Sequence, residues 1–216
     1  MNFKRIVGFA LSVVFFTSCA PEDKSPVVVK KPEVKKIMQP FRFHKAIEVK
    51  PGLTLDIVSW GRGSNSVGGF LVLRSDSTHL NYKSMASELD GKIVDAWDMD
   101  LDSDGNPELY IQSKGEGEGS YLSMYIYEYN ESGSNQQIRF PELGSSLKKG
   151  YRGSDSIYVK DGKLMREFPL FSTGDSAVKA TGEIRKLEYS LRSNSLNVKE
   201  IEEAGKTDLK KLKTEN

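Results

Sequence analysis

The chain has 216 residues, of which 38% are hydrophobic and 28% charged, with one cysteine. That is enough apolar material for one sizeable core, and the lone thiol excludes any intramolecular disulfide. Setting aside Lys4 and Arg5 at the extreme N-terminus, 29 basic residues face 30 acidic ones, a balance that excludes nucleic-acid binding by bulk charge.

The first stretch, MNFKRIVGFALSVVFFTSC, has a basic start, an apolar run over residues 6–16 and small residues before Cys19. It reads as an export signal over residues 1–18, because the run is shorter than the roughly 20 apolar residues that span a bilayer. The sequence Phe16-Thr17-Ser18-Cys19 resembles the bacterial lipobox, with phenylalanine standing where leucine is commoner. That resemblance implies diacylglycerol attachment at Cys19 and a membrane partner reached through the lipid. Ala20, in place of an aspartate, implies sorting to the outer membrane, with the domain facing the periplasm or the cell surface. Residues 19–40 are rich in Pro, Val and Lys without periodicity. They are expected to be a tether reaching about 25 Å as a coil and about 65 Å as polyproline II.

From residue 41 the pattern turns to period two. Eleven segments read as strands: 42–49, 53–60, 68–75, 77–83, 92–99, 108–113, 121–129, 156–160, 163–171, 184–191 and 195–203. Asp161-Gly162 predicts a two-residue hairpin, since that pair accepts positive φ at both central positions, and Asp90-Gly91 is a second candidate. An all-β antiparallel sandwich or flattened barrel of roughly ten short strands over residues 41–202 is expected. Residues 203–216 form a charged tail.

Three features carry candidate chemistry. DMDLDSDGNPEL sets Asp100, Asp102 and Asp104 at alternate positions ahead of Gly105 and Glu108, like half of a calcium loop. The twelfth position, where such a loop needs a bidentate acid, is Ile111. The acidic turn is therefore read as structural, with no cofactor and no metal ligand expected; calcium is the weaker alternative. His44 and His79 are the only histidines. Neither lies near a nucleophile pattern, so an enzyme is not expected. In KGEGEGSYLSMYIYEY, Gly115, Gly117 and Gly119 are expected to take positive φ and let a tip protrude, offering Tyr121 as a rigid amphipathic anchor. Beyond it, Tyr125, Tyr127 and Tyr129 share one face of a strand. If that face were exposed and flat, it would suit a carbohydrate.

The succession VDAWDMDLDSDGNPELYIQSKGEGEGSYLSMYIYEY, GYRGSDSIYVKDGKLMREFPLF and GEIRKLEYSL resembles the periplasmic inhibitors of invertebrate-type lysozyme. The resemblance implies a β-sandwich that occludes a lysozyme cleft without turnover; a second copy of the chain, in a homodimer, is a further candidate partner. The resemblance also implies a Ser-Gly-x-Tyr recognition loop, which here reads Glu118-Gly119-Ser120-Tyr121, and a second loop carrying Tyr151, Arg152 and Asp155. Glu118 replaces the family's serine; Ser120 could supply the hydroxyl. Arg152 is expected either to meet a carboxylate on the enzyme or to bridge Asp155 and shape its own loop. The alternative function is a non-catalytic surface lipoprotein that binds calcium or carbohydrate through residues 100–108 or the tyrosine face.

Overall fold

A computed structural model describes residues 38–117, 119–172 and 179–201. All of them belong to one compact unit, Lys36–Asn216. The chain is an all-β antiparallel structure of three four-stranded meanders. The first sheet holds β1 (Phe41–Lys50), β2 (Leu53–Trp60), β3 (Val67–Asp76) and β4 (Asn81–Asp90). The second holds β5 (Lys92–Met99), β6 (Glu108–Lys114), β7 (Leu122–Tyr129) and β8 (Asn135–Ile138). One helical turn, α1 (Ser145–Lys148), leads to the third: β9 (Ser156–Lys160), β10 (Lys163–Phe171), β11 (Ala180–Arg192) and β12 (Ser195–Ile201).

The middle sheet is covered on both faces. Leu109 and Ile111 of β6 and Tyr127 of β7 join Ile57, Phe70 and Val72 of the first sheet in one core. The intervening residues Tyr110, Met124 and Ile126 point the other way, into a second core with Leu164, Phe168, Leu187 and Tyr189 of the third sheet. Successive side chains of a strand alternate between faces, so a strand inside two cores must be apolar throughout. This accounts for the run Leu109-Tyr110-Ile111, buried at every position. It also settles the tyrosine row. Tyr127 is buried, and Tyr125 and Tyr129 pack against the first core, with Phe70 edge-on to Tyr125 at 5.1 Å between centroids. The exposed aromatic platform required by the carbohydrate reading is therefore absent, because this strand face is turned inward.

Three sequence expectations need correction. Residues 77–80 are a turn, not the start of a strand: the Asp76 carboxylate accepts the His79 backbone N–H at 3.0 Å, and β4 begins only at Asn81. β4 and β8 are edge strands with one fully buried side chain each, Leu89 and Ile138, so they lack the apolar alternation that marks a strand. Asp90-Gly91 is not a hairpin: it carries the chain out of the first sheet into the second, and only Gly91 has positive φ. Asp161-Gly162 does form the expected turn between β9 and β10, with φ of 52° and 72°.

Double-sided burial makes a simple prediction. Leu109→Ala empties the first core and Ile126→Ala the second, and each should cost about 2–5 kcal/mol in urea unfolding. A two-layer sandwich would tolerate one of the two, and a loss below about 0.5 kcal/mol for either would contradict the arrangement.

Candidate functional site

The two loops singled out by sequence lie against each other. In the β6–β7 connection, Gly115 N–H donates to the Tyr121 carbonyl at 3.0 Å, and Ser120 N–H donates to Gly117 O at 3.0 Å. The loop before β9 runs from Tyr151, which bridges Leu170 of β10, to Asp155. Ser154 N–H donates across the gap to Gly119 O at 2.5 Å. Gly119 and Gly153 have φ of +88° and +82°, and the following serines, Ser120 and Ser154, are left-handed as well. A Cβ on Gly119 would stand 2.4 Å from Arg152 O, and one on Gly153 would stand 2.1 Å from Gly119 O. Both the backbone angle and the lack of space therefore demand glycine at these two positions.

This corrects the picture of three freely protruding glycines. Gly115 and Gly117 do not adopt positive φ, and the tip is fastened to its neighbour through Gly119.

The second correction concerns Asp155. The sequence places it on the contact surface or in a bridge to Arg152, but its side chain is wholly buried and its partner is Arg166 of β10. Arg166 Nε and Nη2 both reach Asp155 Oδ1, at 2.7 and 2.6 Å. Nη2 also donates to the Tyr151 hydroxyl at 2.9 Å, and that hydroxyl donates to Asp155 Oδ2 at 2.6 Å. Burial and the Asp155 carboxylate raise the Tyr151 phenol above its ordinary value, so it stays a protonated donor. The Arg166 guanidinium lies over the Tyr151 and Phe168 rings at 5.2 and 5.5 Å.

Tyr121 rests edge-on against Tyr151, with centroids 5.7 Å apart, and remains 49% exposed. The chain of contacts thus runs from a buried ion pair, through one ring, to a half-exposed ring at the surface. Arg152 is exposed, and its guanidinium has no hydrogen-bond or ion-pair partner among the described residues. Beside Tyr151 opens a cleft of about 340 Å³, lined by Leu122, Phe140, Pro141, Leu143 and Lys148. Arg166 was missed by sequence reasoning. Its signal is parity: it falls between Leu164 and Phe168 on the inward face of β10, where a cation needs a buried partner.

At the other end of β6 the acidic loop closes on itself. The Asp100 carboxylate accepts N–H groups from Asp104 and Gly105 at 3.1 and 3.0 Å. Asp104 accepts from Asn106 N–H at 2.7 Å. Glu108 is completely buried; its Oε2 accepts the Leu101 N–H and the Tyr110 hydroxyl, each at 3.0 Å. Burial pushes Glu108 up to about 7, against those two hydrogen bonds, and the charges of Asp102 and Asp100 raise it further.

The histidines belong to the first sheet. His44 meets Asp56 at 2.7 Å, and His79 lies 3.0 and 3.1 Å from the two Asp76 oxygens. Hydrogen bonds from the His79 backbone and ring hold Asp76 below its ordinary value.

The expected export signal, Cys19, the tether up to residue 37, Glu118 and the charged tail lie outside the described residues. Among the described residues no helix is long and apolar enough to cross a membrane. No protein family, curated protein or solved structure matches this chain.

Two outcomes follow from these environments. Asp155→Ala leaves Arg166 charged and buried without a counter-ion, so it should cost about 3–5 kcal/mol in denaturant unfolding, whereas Arg152→Ala should stay within about 0.5 kcal/mol. Equal effects would mean that Arg152 shares the buried network.

Glu108 gives a pH dependence of definite sign. Its folded-state pKa of about 7 exceeds the ordinary 4.5, so the folded protein keeps a proton that the unfolded chain has released. In chelator, stability should therefore fall by up to roughly 3 kcal/mol between about pH 4.5 and pH 7 from this group. Glu108→Gln should flatten that slope in urea titrations at several pH values; an unchanged slope would assign it elsewhere.

Proposed function

We propose that this protein is a non-catalytic inhibitor of lysozyme, held at the bacterial envelope by a lipid on Cys19. The observation that carries the reading is the pairing of two loops: Gly119-Ser120-Tyr121 and Tyr151-Arg152, matched separately to the inhibitors of invertebrate-type lysozyme, touch through Gly119 and Ser154. A two-loop surface with a half-exposed tyrosine and an exposed arginine has the composition of an interface centre, where aromatic and arginine anchors dominate.

In this reading Tyr121 enters the glycosidase cleft and blocks it sterically. Its ring is already braced by Tyr151, so little freedom is lost on docking. Ser120 supplies a hydroxyl to the cleft, and the rigid fork of Arg152 takes a carboxylate of the enzyme. Glu118 sits in the motif where the family has serine. A third carboxylate brought beside the two catalytic acids of a lysozyme raises the cost of docking unless it is protonated or paired. Lipidation at Cys19 and the tether would keep the inhibitor near the peptidoglycan, in the outer membrane.

The test is a cell-wall lysis assay with invertebrate-, chicken- and goose-type lysozymes and the chain from residue 20 onward. Inhibition of the invertebrate-type enzyme is expected. Tyr121→Ala and Arg152→Ala should each weaken it by roughly 2 kcal/mol or more, about thirtyfold in inhibition constant, with melting temperatures unchanged. Because their loops touch, the double variant should depart from additivity. Glu118→Ser should tighten inhibition. If both alanine variants inhibit like the parent, the loop assignment falls.

A further inference from the structure

The carboxylates of Asp100, Asp102 and Glu108 bring ligand oxygens within 4.8 Å of one another. Clustered acids alone signify little, since exposed ones are hydrated and screened. Here, however, Glu108 is fully buried, and its Oε1 has no hydrogen-bond partner; Asp102 Oδ1 is likewise buried and unpartnered. The donors that the loop provides are already committed: Leu101 N–H and the Tyr110 hydroxyl to Glu108 Oε2, and the Asp104 and Gly105 N–H groups to Asp100. No lysine or arginine forms an ion pair with any of the three among the described residues. Glu128, on the strand next to β6, feels the same field, for Asp104 and Asp102 add to the burial that raises it. An orphaned acceptor in a buried acidic pocket costs free energy unless a positive species fills it.

We infer that Asp100, Asp102 and Glu108 are the protein ligands of a calcium ion that locks the β5–β6 loop. The donors are all hard oxygens, without imidazole or thiolate, which disfavours zinc and copper. Calcium bonds of about 2.3–2.6 Å let one ion bridge oxygens separated by up to about 5 Å, whereas magnesium demands a tighter octahedron and keeps most of its water. The acid completing the set is Glu108, delivered by the first residue of β6. Asp104, the third aspartate of the motif, instead turns to the Asn106 amide. With only three carboxylates, and water for the remaining positions, the affinity belongs to the range of extracellular modules, about 0.1–1 mM. The site replaces the purely structural turn expected from sequence. It stands at the opposite end of β6 from Tyr121, about 20 Å away by strand rise, so it is independent of the inhibitory loops.

The full chain should be melted in EDTA and in about 10 mM CaCl2 or MgCl2, and titrated with Tb3+. With a Kd near 1 mM, calcium shifts the folding equilibrium about tenfold, which is about 1.4 kcal/mol and a rise in Tm of about 3–6 °C. Magnesium should do less. Trp97 stacks on Tyr110, whose hydroxyl touches Glu108, so excitation of the indole should sensitise bound Tb3+, and added Ca2+ should quench that emission by displacement. Asp102→Asn and Glu108→Gln should lose both responses, while Glu183→Gln, at an exposed position of β11, should keep them. A native chain showing neither a calcium-dependent Tm nor displaceable Tb3+ emission would overturn the site, whatever the variants do. So would an undiminished response in Asp102→Asn.

Discussion

Burial of β6 on both faces is the constraint from which the two candidate sites hang. Leu109 and Ile111 are held in one core while Tyr110 is held in the other. A one-residue slip would turn each of these side chains into the wrong core. The register of β6 is therefore continuous against β7 and, from Gln112 back to Glu108, against β5, where a shift lies between Ile93 and Asp95. The acidic loop at its start and the glycine loop at its end inherit that precision. Neither loop could hold a defined geometry at the tip of a loosely paired hairpin.

Positioning of the glycine loop then passes to the third sheet. Arg166 and Asp155 are removed from water together, which contributes little net stability but leaves each intolerant of losing the other. What the pair supplies is orientation: it fixes the Tyr151 ring by two hydrogen bonds and a cation–π contact, and Tyr151 in turn backs Tyr121. The loop that carries Arg152 is tied to the glycine loop by the Ser154–Gly119 hydrogen bond, so both surface residues are presented from one joined pair of loops. The buried residues act here as positioning groups, and the exposed ones are left available for contact.

How far this was legible in the sequence varies with the physics involved. Strands with an apolar face, such as Leu53–Trp60 and Lys163–Phe171, announce themselves through alternation. The polar edges β4 and β8 do not, because hydrogen bonding to one neighbour rather than burial makes them strands. Turn chemistry is ambiguous about topology: Asp161-Gly162 closes a hairpin and Asp90-Gly91 crosses between sheets, although the dipeptide is the same. The residues of both loops could be named, yet their contact could not, since Gly119 and Gly153 are distant in sequence and the space that each lacks is taken by the backbone of the other loop. Asp155 was misplaced for a similar reason. Its nearest cation in sequence is Arg152, but its partner in space is Arg166, on the inward face of the next strand but one in chain order. In the acidic loop the motif names Asp100, Asp102, Asp104 and Glu108 alike, and only burial in the fold sets Glu108 apart.

We propose that the paired loops, and no other surface, meet lysozyme. Amide hydrogen exchange of the protein, alone and saturated with an invertebrate-type lysozyme, tests it most directly. New protection should be confined to residues 115–121 and 150–155 and the adjoining start of β7, with residues 100–107 and the first sheet unchanged. Protection centred on the acidic loop or on the first sheet, with residues 115–121 exchanging as in the free protein, would contradict it.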